Sequence, residues 1–187
     1  MNTPAHALIN LLLLSRNPGH RNTAAIIGGA LVPDLAIIVF YTWQLLLGRT
    51  ESQIWSIEYY RPLWQAWIDI FNSIPLVSLA ILLSWYTRRY LLLVFFGSML
   101  LHIFGDLPLH HDDAHRHFFP LLEWRFESPV SYWDPAHHGQ WASLFEFIAV
   151  VAASAFMYRR AAFLRRWVLA IFTIYLLYWG YVYLVWV

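Results

Sequence analysis

Apolar runs recur along the chain at residues 24–47, 74–86, 90–107, 141–158 and 167–187, separated by short connections. About 20 apolar residues in a helix match the hydrocarbon thickness of a bilayer. Inside lipid, only helices and closed barrels satisfy their own backbone. Charge is too scarce for a water-facing surface: 12% of residues are charged and 60% are hydrophobic, against about 25% charged in a soluble domain. The pattern predicts an all-α, polytopic integral membrane bundle of about five spans, a single transmembrane domain over residues 1–187. Residues 4–15 are too short to cross and suit a tilted, partly buried helix. Residues 15–22, with Pro18 and Gly19, read as a polar turn. Within 24–47, Val32-Pro33-Asp34 predicts an interruption, because proline removes a backbone donor. Residues 48–73 carry Trp55, Trp64 and Trp67 and read as an amphipathic interfacial segment. The run at 74–86 is short and predicts a span that borrows Thr87 and its neighbours.

All twelve basic residues are arginine. Arg16, Arg21, Arg88, Arg89, Arg159, Arg160, Arg165 and Arg166 fall in three connections that alternation places on one side of the membrane. Arg49, Arg61, Arg116 and Arg125 fall on the other. The positive-inside rule makes the arginine-rich side cytoplasmic, so the loop at 108–139 is expected on the non-cytoplasmic side. No basic n-region or small-residue cleavage motif precedes Arg16, so no removable signal peptide is expected. A net charge of +1 carries no nucleic-acid signal. The absence of cysteine excludes disulfides, thiolate zinc sites and cysteine nucleophiles.

Ionisable groups gather in one place. Residues 101–117 hold His102, Asp106, His110, His111, Asp112, Asp113, His115, Arg116 and His117. On a helix His102 and Asp106 are four residues apart and share a face, where an imidazole and a carboxylate can grip one divalent ion. Leu107-Pro108 ends the helix and lets His110, His111 and Asp112 fold back toward that point. His110 and His111 are adjacent, so one is expected to face the ion and the other to support it or meet solvent. Asp112 and Asp113 divide in the same way. His115 and His117 are candidate general acids, phosphate-binding groups or solvated loop residues. Ionisable groups within spans are costly and functional by default, which adds Asp34 and Glu146. The plainer alternative for each is a helix cap, an arginine partner or a backbone bond. A second cluster, Asp134-Pro135-Ala136-His137-His138, precedes the 141–158 run. There Asp134 is a catalytic candidate or a simple N-cap with Pro135 at the first helical position. His137 is a catalytic candidate too, and His138 a candidate ligand near Glu146. His6 is a surface histidine unless its helix packs beside Asp34.

Thr3-Pro4-Ala5-His6, Gly28-Gly29-Ala30-Leu31-Val32-Pro33-Asp34 and the His102-x-x-x-Asp106 pair resemble the pattern of bacterial membrane-bound metal-dependent hydrolases. That group includes the LexA-binding inner-membrane family and is distantly similar to zinc-dependent phospholipase C, an all-helical phosphodiesterase fold. The resemblance covers most of the chain in order. It implies the bacterial inner membrane as location, and His6, Asp34, His102 and Asp106 as metal ligands. The closing H-x-x-x-E pair of the phospholipases is missing, since Ala142 stands four before Glu146. His110, His111 or His138 would have to substitute.

The resulting expectation is a metal-dependent hydrolase with a mono- or dinuclear centre, cleaving a phosphoester of a lipid or lipid-linked molecule. Zinc is the expected ion, and manganese and iron also suit nitrogen and oxygen ligands. Arg116 and Arg125 are the candidates for neutralising phosphate charge. The competing expectations are a metal transporter or accessory subunit, with ligands spread through the membrane depth, and a structural subunit with incidental histidines.

Overall fold

The computed structural model describes residues 1–15 and 20–186. Of the expected polar turn, residues 16–19, with Arg16, Pro18 and Gly19, lie outside the described residues. The described backbone is helical and contains no strand. Its elements are α1 (Thr3–Leu14), α2 (His20–Leu46), α3 (Glu51–Gln53), α4 (Pro62–Phe71), α5 (Ile74–Tyr86), α6 (Tyr90–Asp106), α7 (Gly139–Arg160) and α8 (Arg165–Trp186). Five stretches are long and apolar enough to cross a membrane: Arg21–Leu46, Pro62–Tyr86, Tyr90–Leu109, Gly139–Arg160 and Ala162–Val182. With the short α1 this is the all-α membrane bundle that the apolar runs predict.

Two details depart from expectation. Helix α2 runs unbroken through Pro33. In an apolar helix the bond that proline removes is tolerated when neighbouring elements re-satisfy the backbone. The second crossing stretch is completed from its N-terminal side, by residues 62–71 of the segment read as interfacial, and not by Thr87. Only Asn72-Ser73 separates α4 from α5. Ser73 Oγ accepts from the Leu76 N–H at 3.2 Å and caps α5, with proline in its first turn.

Small residues set the closest packing. A Cβ added at Gly29 on α2 would lie 2.1 Å from the Phe95 carbonyl oxygen on α6 and 2.9 Å from Ser98 Cβ, the close helix approach that glycine permits in membranes. Ser98 Oγ donates to the Ile26 carbonyl at 2.6 Å, and Asn10 Nδ2 donates to the Ser98 carbonyl at 2.7 Å. These bonds tie α1, α2 and α6 together. Helix α1 is wedged among α2, α6, α7 and α8. Its Ala5, Leu8 and Leu11 are fully buried in one core with Val150, Leu164 and Tyr175. The outward face is apolar instead: Leu46, Leu82 and Tyr86 are exposed, as suits contact with lipid.

Unequal helix lengths create a well. Helix α6 ends at Asp106, whereas α2 continues twelve residues past Asp34, about 18 Å further. Helix α7 begins seven residues before Glu146, about 10 Å above it. The histidine loop fills this space and is bonded to its walls. Ile74 N–H donates to the His117 carbonyl at 2.8 Å and Arg116 N–H to Asp69 Oδ1 at 3.0 Å. Non-helical backbone at membrane depth is allowed where protein buries it in this way.

The Gly29 crossing yields a prediction. Gly29→Ala forces α2 from α6 and should cost roughly 1–3 kcal/mol by overpacking. Gly97→Ala, where an added Cβ meets nothing within 4 Å, should be neutral or slightly stabilising. Thermal unfolding of the two variants in detergent checks the contrast; equal midpoints would refute the close crossing.

Candidate metal centre

His102 sits four residues before the end of α6 and is fully buried. Its Nδ1 lies 2.7 Å from the Ala30 carbonyl of α2. A carbonyl can only accept, so Nδ1 carries a proton, which leaves Nε2 as the nitrogen that an ion would take. That nitrogen faces two carboxylates, Asp106 Oδ2 at 3.0 Å and Asp34 Oδ1 at 3.6 Å. Nε2 has no hydrogen-bond partner among the described residues, and neither does Asp34 Oδ2. His6 of α1 completes the group: its Nε2 is 2.8 Å from Asp106 Oδ1, and its ring stacks on that of His102 with centroids 3.6 Å apart. The Met1 amino group also lies 2.5 Å from Asp106 Oδ1.

These residues fit a divalent cation. His6 Nε2 and the Met1 amino group meet Asp106 Oδ1, whereas His102 Nε2 and Asp34 Oδ2 are buried without a partner, a partner that a cation bound between them would supply. Atoms of His6, His102 and Asp106 lie within 4.8 Å of one another, and all three residues are buried. Asp34 stands beside them with its side chain 17% exposed, the most open of the four. The Ala30 carbonyl is the outer support that metal-bound histidines characteristically have.

Of the loop residues, His110 reaches the centre. Its Nε2 is 3.7 Å from Asp106 Oδ2, and its Nδ1 is 2.9 Å from Asp113 Oδ2. Burial pulls the imidazolium pKa down, but Asp106 and Asp113 outweigh it and hold it up at about 9. Asp113 is opposed by burial and stays below the usual carboxylate range because of His110. His115 packs beside His110, and burial with its histidine neighbours pushes its pKa down to about 3, so the ring is neutral. Burial likewise lowers His117, whose Nδ1 lies 3.2 Å from the Asn72 carbonyl. Neither ring contacts His6, His102 or Asp106 directly among the described interactions.

The other sequence candidates do not join the cluster. Asp112 is exposed, and its neighbour Asp113 takes the inward place, the reverse of the expected assignment. His111 turns away, its Nδ1 donating to the Ser128 carbonyl at 2.7 Å. His138 is exposed with φ 64°, forming the left-handed turn into α7. Asp134 accepts from the Ala136 N–H at 2.9 Å and from His137 Nδ1 at 2.6 Å, so it caps a short turn, the plainer of its two readings. Its pKa is lowered by His137 first and by that backbone bond second. Both arginines are committed to structure. Arg116 Nε pairs with Asp69 Oδ2 at 2.5 Å and its Nη1 with Glu123. Arg125 donates to the Ala114 carbonyl at 2.6 Å and to Gln65 Oε1 at 2.8 Å.

Glu146 has a different task. Its carboxylate accepts from the Asn2 N–H at 2.9 Å, from Asn2 Nδ2 at 2.7 Å and from Tyr175 Oη at 3.1 Å. It clamps one end of α1, Asn10 clamps the other onto Ser98, and His6 lies between. Neither Asn2 nor Asn10 belongs to a recognisable motif in the sequence. The signal available was Asn10 itself, a polar residue four after His6 in a leucine run and therefore on the same helix face.

Glu146→Ala strands three buried donors and should cost roughly 2–4 kcal/mol. It should also loosen α1, so that bound metal is lost more readily to a weak chelator. Glu146→Gln, which keeps one acceptor oxygen, should fall between. Unfolding midpoints and metal retention measured on the same samples test this; wild-type retention in the alanine variant would remove Glu146 from any positioning role.

Comparison with family models, with curated proteins and with solved structures gives no match to this chain.

Proposed function

We propose that the protein is a membrane-embedded metal-dependent hydrolase that cleaves an ester, foremost a phosphoester, of a lipid or lipid-linked molecule. The observation that carries this reading is the meeting of His6, Asp34, His102 and Asp106 around a buried imidazole nitrogen that has no hydrogen-bond partner. An ion path would spread its ligands along the membrane normal; here Glu146, the next buried carboxylate, is spent on fixing α1. A divalent ion in the centre supplies Lewis acidity toward a phosphoryl or carbonyl oxygen and lowers the pKa of water. Zinc is the proposed ion, with manganese and iron compatible with the same donors.

The chain's own residues divide the remaining work. His102 and His6 offer nitrogen, and Asp106 offers both oxygens. Asp34, partly open and with Oδ2 unpaired, is placed to take a proton from the attacking water. His110, held by Asp113 at the loop side of the centre, is the loop imidazole placed to return a proton to the leaving group. With Arg116 and Arg125 engaged elsewhere, phosphate charge falls to the ion and to His110. The depth of the centre below the ends of α2 and α7 favours a substrate resident in the bilayer. The arginine asymmetry favours this loop on the non-cytoplasmic side, and the resemblance to bacterial membrane-bound hydrolases favours the bacterial inner membrane.

Detergent-purified protein should carry a transition-metal ion. His102→Ala and Asp106→Ala should abolish binding, and Asp112→Ala should leave it intact, as measured by elemental mass spectrometry. Loss of phosphoester hydrolysis should follow the same order. Metal-free wild type after chelator-free purification and reloading would overturn the centre; full occupancy without hydrolysis of any lipid phosphoester would overturn the activity. Orientation has its own check, since the chain lacks cysteine. Glu123→Cys should react with an impermeant maleimide from outside the cell, and Tyr86→Cys only after the membrane is opened.

A further inference from the structure

Helix α4 descends alongside α2, turn by turn. Trp64 meets Phe40 edge to face with centroids 5.1 Å apart, and Trp67 Nε1 donates to the Ala36 carbonyl at 3.3 Å. One turn further on, Phe71 and Val32 pack against the core that holds Ile103. The two helices are therefore antiparallel, and Ser73 lies about level with Val32, near the middle of the crossing stretch Arg21–Leu46. The loop is bonded at that depth: Ser73 Oγ donates to the Phe119 carbonyl at 2.5 Å, and Ile74 N–H to the His117 carbonyl at 2.8 Å. From there the chain climbs to Arg125, which reaches Gln65 two turns nearer the N-terminal end of α4.

At this depth the loop backbone satisfies itself. The N–H groups of Arg116, His117, Phe119, Leu121 and Leu122 donate to Asp69 and to the carbonyls of His115, Arg116 and Phe118, and Pro120 has none. The carbonyls of Arg116, His117, Phe118 and Phe119 all accept. A loop in water can leave such groups to solvent, whereas hydrocarbon offers them nothing. The side chains behave differently. Leu121 is 70% exposed, Leu122 55% and Trp124 51%. Glu123, the one charged residue in 118–124, is paired with Arg116. The α4 surface is apolar as well, with Leu63, Trp67 and Ile70 exposed at helical spacing along one face.

We infer that residues 118–124 form a re-entrant finger that enters the bilayer from the loop side and binds lipid. Leu121 and Leu122 lie among acyl chains, and Trp124, on the climbing limb, lies at the headgroup level that tryptophan favours. A root level with the middle of a span, a satisfied backbone and apolar side chains turned outward are what hydrocarbon demands of irregular chain. The inference is independent of the activity proposed for the centre.

The chain has no cysteine, so single nitroxide labels report depth directly. Full-length Leu121→Cys, Leu122→Cys, Trp124→Cys and Ser52→Cys, labelled and reconstituted in phosphatidylcholine–phosphatidylglycerol vesicles, are measured for collisions with oxygen, which concentrates in lipid, and with a water-soluble nickel chelate. Ser52, exposed in the 48–73 segment, is the aqueous reference. The oxygen-to-nickel ratio should be several-fold higher at 121 and 122 than at 52, with 124 between. Nickel reaching 121 and 122 as readily as 52 would place the finger in an aqueous vestibule and overturn the inference. Exclusion of both reagents would mean cover by protein, such as a second copy, and would overturn it equally. Unsubstituted protein in lipid nanodiscs gives a check free of any folding defect: hydroxyl radicals should oxidise Trp124 and Leu121 far less than exposed Tyr60, and equal oxidation would overturn the inference.

Discussion

The hydrogen bond from His102 Nδ1 to the Ala30 carbonyl governs the chemistry at the middle of the bundle. It engages Nδ1, turns Nε2 toward Asp106 and Asp34, and so brings together donors that could hold a metal ion. That bond depends on how closely α2 and α6 approach, which Gly29 permits against Phe95. It also depends on register, because Ala30 must lie level with His102. The backbone contact between two helices and the donor set of the centre are one geometric fact.

A second dependence runs through α1. Its apolar face would pack in many rotations against leucine-rich neighbours, since lipid and protein interior are similarly apolar. Polar bonds at both ends, Asn2 to Glu146 and Asn10 to Ser98, select one rotation and so aim His6. Buried polar groups here serve specificity more than net stability, in keeping with the cost of removing them from water.

The helical architecture was legible because lipid enforces helices and the apolar runs are long. The His102–Asp106 pair was legible because four residues is one helical turn. What the sequence hid involves long separations or single-residue choices of direction. His6 meets Asp106 across a hundred residues, and no local rule brings them together. Asp112 and Asp113 are adjacent carboxylates; the fold of the loop, not their identity, turns Asp113 inward and Asp112 to solvent. Glu146 showed its cost in the membrane but not its partner. Arg116 looked available until Asp69, read only as part of an interfacial segment, was found buried against it. Pro33 predicts a break, yet α2 continues through it, because helix breaking is a tendency of isolated chains that neighbouring helices override.

The anchoring of α1 has a consequence for biogenesis. Residues 2 and 6 leave the ribosome well before their partners at 146 and 106. At synthesis rates of about 5–20 residues per second, α1 waits roughly 5–30 seconds for them. It is clamped only once α7 has been made, so the centre closes late in assembly although one of its histidines is made long before the rest.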